Sequence, residues 1–537
     1  MSAASSLHAL ALAALVAVSA GLKAHDFRKC GDTPFCTLHR TAPAPPYTLN
    51  ASSIAYDENT LTAQLLPSSS TARSLPILLA LSVLPSGAVH VSIDDDPRLP
   101  PDSLTQLDPA VVKPEAWDDE MDGAWDAPVI KLGRAVKDRF RATQSFASTA
   151  SATPSDRCEH RRQTSVERLV CTVDGGTSVE VELRHSPMVI TVLRDGAQVA
   201  RLNGRALLRF EPFVQSVAES DSAVSSEAES HTFNGHTMPF PYGSSSVGLD
   251  IDFPLATHAY GLPERTVAHA LPPTVGREPY RLFNLDVFEF ELDHPMGIYG
   301  SVPFLQAHGS QGSYGVLWLN PSETFADLGC SNAADGVCSH FFSASSTIDA
   351  FIFSGGSPRD VSRQHTALTG VSPLPPLFAL GYHQCRWNYR DETDVDRVVE
   401  AFEEHSLPLD VLWLDIEHTD GKRYFTWDPS KFGEPAAMQA RLAYTGRNMV
   451  TIIDPHLKAD DGYPVFAAAR DRNLLVLKDD NSTHFEGDCW PGRSAWVDYL
   501  MPEARAFWAS RFEASAYEGS TPSLYTWNDM NEPSVFD

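Results

Sequence analysis

Residues 392–415 read ETDVDRVVEAFEEHSLPLDVLWLD, and they decide the fold of the second part of the chain. Val395, Val398, Val399 and Phe402 recur at intervals of three and four, which predicts one apolar face on a helix over 392–406. DVLWLD (410–415) is then a short apolar run without polar alternation, as in a strand covered on both faces. The pattern continues in both directions. LFALGYHQCRW (377–387), MVTIID (449–454) and SLYTWND (523–529) read as further strands. PAAMQARLAYTGR (435–447), YPVFAAARDRN (463–473) and EARAFWASRFEASAY (503–517) read as helices between them. Alternating apolar strands and amphipathic helices predict a parallel sheet. Their regularity favours the first half of a (β/α)8 TIM barrel over an open doubly wound sheet, and no glycine-rich phosphate loop follows any strand.

Upstream the pattern differs. Runs such as LPILLALSVL (75–84), AVHVSI (88–93), SVEVELRH (178–185), MVITVLRDG (188–196), FNLDVFEFEL (283–292) and YGVLWLN (314–320) read as strands punctuated by Gly, Pro, Asp and Ser. This predicts an N-terminal antiparallel β-sandwich over 25–370, with the half-barrel following at 371–537 after the proline-rich VSPLPPLFAL. A chain of 537 residues is too long for one core, since single cores stop growing near ~250–300 residues. QSFASTASATPSD (144–156) and QSVAESDSAVSSEAESHT (215–232) are rich in Ser, Ala and acids and predict loops.

The net charge of −28 leaves no basic stripe to attract nucleic acid or anionic lipid. The N-terminus carries an apolar run at 9–19 followed by small residues, which predicts a signal peptide over 1–24, with cleavage after Ala20 or Ala24. No other apolar stretch is long enough to predict a membrane-spanning helix. Eight cysteines fit a secretory compartment; Cys30 and Cys36 bracket a short loop and predict a disulfide clip, and Cys158 and Cys171, and Cys330 and Cys338, are also close in sequence. Asn50 and Asn481 head glycosylation sequons.

Three predicted strands end in aspartate: Asp415, Asp454 and Asp529. In a parallel barrel the C-terminal strand ends form the rim that carries the active site, so these carboxylates are expected at one mouth. Asp454, followed by Pro455, reads as the most structural of them, and Trp413 reads as core. Trp387, Trp490, Trp527 and Phe536 crowd the same ends. Carboxylates that hold hydroxyls and flat rings that hold the C–H faces of a pyranose point to a sugar site and to glycoside hydrolysis by paired acids. His418 and His456 lie near strand ends, but no spacing of metal ligands is present, so neither a metal nor a cofactor is expected.

DVLWLDIEHTDGKRYFTWDP (410–429), IIDPHLK (452–458), EGDCWPG (486–492) and WNDMNEPSVF (527–536) resemble glycoside hydrolase family 31. YGLPER (260–265), YRLFNLDVFEFE (280–291), GIYGSVPF (297–304), LGYHQCRWNY (380–389) and HDFRKCGDTPFC (25–36) extend the resemblance through nearly the whole chain. It implies that the upstream domain is galactose-mutarotase-like and that the enzyme is a retaining α-glucosidase. The branch it resembles trims α-1,3-linked glucose from N-glycans in the endoplasmic reticulum lumen beside a lectin-domain β-subunit. The resemblance implies that Asp529 is the nucleophile and that Glu532 supports its loop. Asp415 would bind sugar hydroxyls in the −1 subsite, walled by Trp387, Ile416, Ile452, Trp490, Trp527 and Phe536 with Met530 beneath, and Asp286 would stand near the +1 subsite. The family's acid/base belongs to a later strand, so the 537-residue chain is expected to be C-terminally truncated, to lack turnover by itself and to fold poorly past residue 370. The alternatives are a non-catalytic fragment that binds glycan or a partner subunit, and another family 31 α-glucosidase or α-xylosidase.

Overall fold

The computed structural model describes residues 27–57, 60–67, 76–95, 158–211, 229–233, 236–240, 245–287, 290–330, 335–345, 347–478 and 483–536. The signal-peptide segment, the 144–156 stretch and Asn481 lie outside them. The chain divides into two compact units, Met1–Val371 and Ser372–Asp537.

The first unit contains two large antiparallel sheets, one of 9 and one of 10 strands. Alternation explains why they pack. In Thr60–Pro67 and Ile77–Val83 every second residue is buried, and the same holds in Val166–Thr172 and at the start of Ser178–His185. Leu61, Leu79, Val181 and Ile190, drawn from both sheets, belong to one apolar core. The residues between them face out, where Arg168 pairs with Glu180 at 3.4 Å and with Glu182 at 2.5 Å. Val247–Phe253 and Val337–Ser343 break the alternation and are buried throughout. Part of the reason is the helix Pro34–Thr41: its Phe35 and Cys36 pack on Phe325 and Phe342, and Gly248 leaves the room that His39 occupies.

Two expectations fail here. Among the described residues of the predicted strand 283–292, none belongs to a paired strand: Leu285 and Val287 are buried, but the segment is held by single bonds such as Leu285 N–H to Ile298 O at 2.9 Å. Of the predicted loop 215–232, residues 215–228 lie outside the described residues, and its end belongs to a strand, Glu229–Phe233, paired antiparallel with His236–Phe240. Disulfides join Cys30 to Cys36, Cys158 to Cys171, and Cys330 to Cys338.

In the second unit the elements run β1 (His383–Arg386), α1 (Glu392–Glu404), β2 (Val411–Leu414), α2 (Pro435–Tyr444), β3 (Asn448–Ile453) and β4 (His456–Lys458). Then follow α3 (Pro464–Asp471), β5 (Gly487–Cys489), β6 (Gly492–Trp496), α4 (Pro502–Ser510) and β7 (Leu524–Asn528). Strands β1, β2, β3 and β7 form a parallel sheet in that order, and β4, β6 and β5 form a small antiparallel sheet. The Asp391 carboxylate caps α1 by accepting from the Asp394 N–H, which fixes where the first helix starts. Leu412, Leu414 and Met449 of the parallel sheet pack against Val395 of α1 and Met438 and Leu442 of α2. The other face of the sheet is therefore the one left to carry chemistry. The segment 377–380 is a short 3-10 turn rather than strand, and the helical reading of 503–517 stops at Ser510.

Candidate active site

Leu412, Leu414 and Met449 face the helices, so alternation turns Trp413, Ile452 and Trp527 to the opposite face. The register makes this concrete. Ile452 lies opposite Trp527, and Ile453 opposite Asn528. Asp454 and Asp529 are the next residues on those two strands, and Asp415 follows Leu414, which is opposite Thr451. All three acids thus leave neighbouring parallel strands at the same end.

Their electrostatics carry the mark of that convergence. Burial pushes the Asp415 carboxyl up, the Ile416 N–H at 2.7 Å opposes the shift, and the charge of Asp529 adds to it. Burial raises Asp454 to about 7; the Tyr424 hydroxyl pulls it down, and the charges of Asp529, Asp415 and Glu532 push it up. Burial and the charges of Asp415 and Asp529 raise the Cys385 thiol on β1 as well. Carboxylates that perturb one another in this way are close and poorly screened, the condition in which acid and base roles separate.

Asp415 and Asp529 are half-buried. Asp454 is 1% exposed, its Oδ2 accepting from Tyr424, so it cannot reach a ligand in the way the other two can. Met530, next after the Asp529 strand end, takes a left-handed φ of 53° and turns the chain sharply into the segment that holds Glu532. The Asn531 side chain fixes this turn by donating to the Asp529 carbonyl at 2.7 Å.

Rings gather around the same end. Trp490 stacks on His456 with centroids 5.6 Å apart, and Phe536 meets Trp490 edge-on at 4.6 Å. Trp527 stands edge-on to Trp413 at 5.4 Å. Trp413 is therefore half-exposed on the aspartate face rather than core, its indole N–H donating to His383 Nδ1 at 2.8 Å. Ile416 and Ile452 are buried, and Trp387 is 69% exposed. Asp286 belongs to the first unit, half-buried in the irregular segment after Leu282. Asn50 lies in a turn, its side-chain amide donating to Gln64 at 3.1 Å. No group of three or more His, Cys, Asp or Glu suited to a metal occurs among the described residues.

Sequence reasoning placed His418 and His456 near the strand ends without giving them a role, and it missed Tyr424, Tyr517 and Cys489, which brace this end with them. His418 is buried between the Asp415 carbonyl (2.8 Å) and the Tyr517 hydroxyl (3.0 Å), and burial lowers it to about 4. Tyr424, His456 and Cys489 line up behind Asp454. Apart from the Asp415 carbonyl, three residues from His418, these partners are 30 to 99 residues apart, so no local pattern announces them.

Comparison with known proteins gives this geometry a family. Residues 372–537 match the glycosyl hydrolases family 31 TIM-barrel domain, and residues 125–327 match the glycosyl hydrolase 31 N-terminal galactose mutarotase-like domain. The chain belongs to glycosyl hydrolase family 31. Within that family it is 41% identical over 537 residues to a rice protein named "Probable glucan 1,3-alpha-glucosidase", covering 96% of this chain and 53% of the rice one. It resembles a crystal structure of the glucosidase II alpha subunit with alpha3-Glc2 bound at a TM-score of 0.79 and 31% identity, over 95% of this chain and 55% of that one. A structure of the heterodimeric endoplasmic-reticulum glucosidase II, containing the catalytic subunit and the binding domain of the regulatory subunit, matches at a TM-score of 0.78 and 31% identity, over 95% and 55% of the two chains. The chain spans about half the length of the curated relatives it matches. The family match accords with the sheet-rich antiparallel first unit and assigns the second unit to a TIM-barrel domain.

Proposed function

We propose that this chain carries the nucleophile and the −1 subsite of a retaining α-glucosidase that removes terminal α-1,3-linked glucose, as in the trimming of N-glycans. The observation that carries the reading is the exit of Asp415, Asp454 and Asp529 from one end of a parallel sheet among Trp490, Trp527 and Phe536. Asp529 attacks the anomeric carbon and forms a covalent glycosyl-enzyme, which water then hydrolyses. Asp415 accepts hydrogen bonds from the sugar hydroxyls. Trp387, Ile416, Ile452, Trp490, Trp527, Met530 and Phe536 enclose the ring, and Glu532 supports the nucleophile loop.

The acid that protonates the leaving oxygen is a different group. Asp454 has a raised pKa, which suits an acid, but its Oδ2 is engaged by Tyr424 and it is buried away from any leaving group. The parallel sheet is read as the first half of the barrel, joined to an upstream sandwich over 25–370. The outer strands β1 and β7 support this, since they leave residues exposed that the central strands bury. The heterodimer among the structural relatives supports a lectin-domain β-subunit as partner in the endoplasmic reticulum lumen, with Asn50 and Asn481 as glycan acceptors. The test is hydrolysis of α-1,3- and α-1,4-linked glucose disaccharides by the full-length enzyme that contains this sequence. Preference for the α-1,3 linkage is expected; preference for α-1,4-glucosides or for α-xylosides would replace the substrate assignment.

A further inference from the structure

Behind the aspartate rim four side chains form a continuous buried line. The Tyr424 hydroxyl donates to Asp454 Oδ2 and lies 3.0 Å from His456 Nε2. His456 Nδ1 is 3.5 Å from Cys489 Sγ, which lies 3.4 Å from the Ser534 carbonyl. Tyr424 and His456 are fully buried, Asp454 is 1% exposed, and Cys489, buried and outside any disulfide, is 5% exposed. We propose that Tyr424, His456 and Cys489 are positioning residues for this site, joined in one hydrogen-bond chain that lets Asp454 take up or release a proton beside Asp529 while each link stays paired. The proposal deepens the reading of Asp529 as nucleophile and, for its catalytic meaning, rests on it.

The donor and acceptor inventory allows two complete arrangements. With Asp454 ionised, Tyr424 donates to it, His456 offers Nε2–H to the tyrosine oxygen, and the Cys489 thiol donates to Nδ1. With Asp454 protonated, the acid donates to Tyr424, Tyr424 donates to Nε2, Nδ1–H points at the Cys489 sulfur, and the thiol donates to the Ser534 carbonyl. The second arrangement holds one proton more than the first, taken from solvent, and the imidazole changes tautomer between them. No atom in the chain changes oxidation state.

The surroundings explain why such a device belongs here. Asp415 after β2 and Asp529 and Glu532 after β7 all face Asp454 with the same sign of charge, Tyr463 neighbours Tyr424, and the basic group beside the carboxyl is His456, whose Nε2 lies 3.6 Å from Asp454 Oδ2 and which burial lowers to about 3 and so keeps neutral. Asp454 Oδ1 is also buried without a hydrogen bond. A lone buried carboxylate among three acids is costly. An acid that can accept the proton relieves that cost and leaves Asp529 as the ionised group, which is the form a nucleophile needs.

The test titrates the Asp454 carboxyl in the full-length enzyme that contains this sequence, carrying 13C-labelled aspartate, with the resonance assigned by its loss in Asp454→Asn. His456→Leu removes the acceptor that the protonated arrangement requires, so the midpoint falls by about one pH unit. Tyr424→Phe removes the bond that favours the ionised form, so the midpoint rises. His456→Gln, whose amide rotates to donate or accept, returns the midpoint to the wild-type value within a few tenths of a unit. Opposite shifts with rescue by glutamine support the chain; a merely structural cluster moves both variants the same way. An unchanged midpoint in both His456→Leu and Tyr424→Phe, or failure of glutamine to restore it in a variant that melts like wild type, overturns the proposal. Turnover is not read, so the outcome is separate from the fate of Asp529 as nucleophile.

Discussion

In the antiparallel sheets of the first unit, strands such as Thr60–Pro67 and Ile77–Val83 bury every second residue and place the others at a half-buried outer face. In the parallel sheet of the second unit, the central strands Val411–Leu414 and Asn448–Ile453 are buried almost throughout, while the outer strands His383–Arg386 and Leu524–Asn528 are largely exposed. The first arrangement closes its core from its own two faces. The second gains its burial from helices on one side and sends its polar residues to one end of the strands, where Asp415 and Asp529 stand half-buried. Each unit has its own buried apolar core, but the strand-end acids Asp415, Asp454 and Asp529 belong to the second, so the two are expected to respond differently to substitution.

The largest effect expected from this division is at Asp529. In the enzyme that carries this sequence together with its acid, Asp529→Asn lowers kcat by several powers of ten, because the covalent step loses its attacking oxygen, while the melting temperature stays near wild type. Next is Asp415→Ala. It removes charge-assisted hydrogen bonds of about 1.5–3 kcal/mol each, so kcat/KM falls by about ten- to a hundredfold per bond with the fold intact. Normal kcat/KM in that variant would reduce Asp415 to a turn residue.

The converse experiment sits in the first unit. Cys30 and Cys36 close a short loop, and replacing both with alanine costs about 2 kcal/mol of local stability by the chain-entropy estimate, read as a lower denaturation midpoint without loss of the second unit's aspartate titrations. A change in those titrations would break the separation between scaffold and chemistry.

The remaining effect is a pH dependence of stability, which leaves activity aside. Burial lowers His39 in the first unit and His456 in the second to about 3, and His418 to about 4. Each binds its proton less well folded than unfolded, so each contributes stability that is complete above about 6.5 and is lost as the pH falls toward the folded value. Asp454, raised to about 7, has the opposite sign: between about 4 and 7 the unfolded carboxyl ionises and the folded one resists, so stability falls as the pH rises through that window. Asp454→Asn is therefore expected to gain stability relative to wild type between pH 4 and 7, measured by denaturant midpoints at each pH. A constant difference across that range would contradict the buried-acid reading.

How much of this was legible follows from where the determinants lie in sequence. The strand Ser178–His185 and the helix Glu392–Glu404 were readable because their burial follows a period of two or of 3.6 residues. FNLDVFEFEL alternates equally well, yet its described residues form no strand: Leu285 and Val287 are buried without a neighbouring backbone in register. Trp413 was misjudged because two apolar faces look alike until the helices declare which one they cover. Asp415, Asp454 and Asp529 were visible as strand-end acids, and the surrounding motifs were visible as a family resemblance. Tyr424 and Cys489 were not, since an isolated tyrosine and cysteine 30 and 35 residues from Asp454 acquire meaning only when β4, β5 and the loop after β2 meet.

The central claim is that Asp529 is the nucleophile. Incubation with a fluorinated α-glucosyl fluoride, whose activated leaving group needs little acid assistance, followed by proteolysis and mass spectrometry, tests it directly. The account predicts a glucosyl adduct on the peptide spanning 523–537, abolished by Asp529→Asn. An adduct on any other carboxylate, or one that persists in Asp529→Asn, would contradict it.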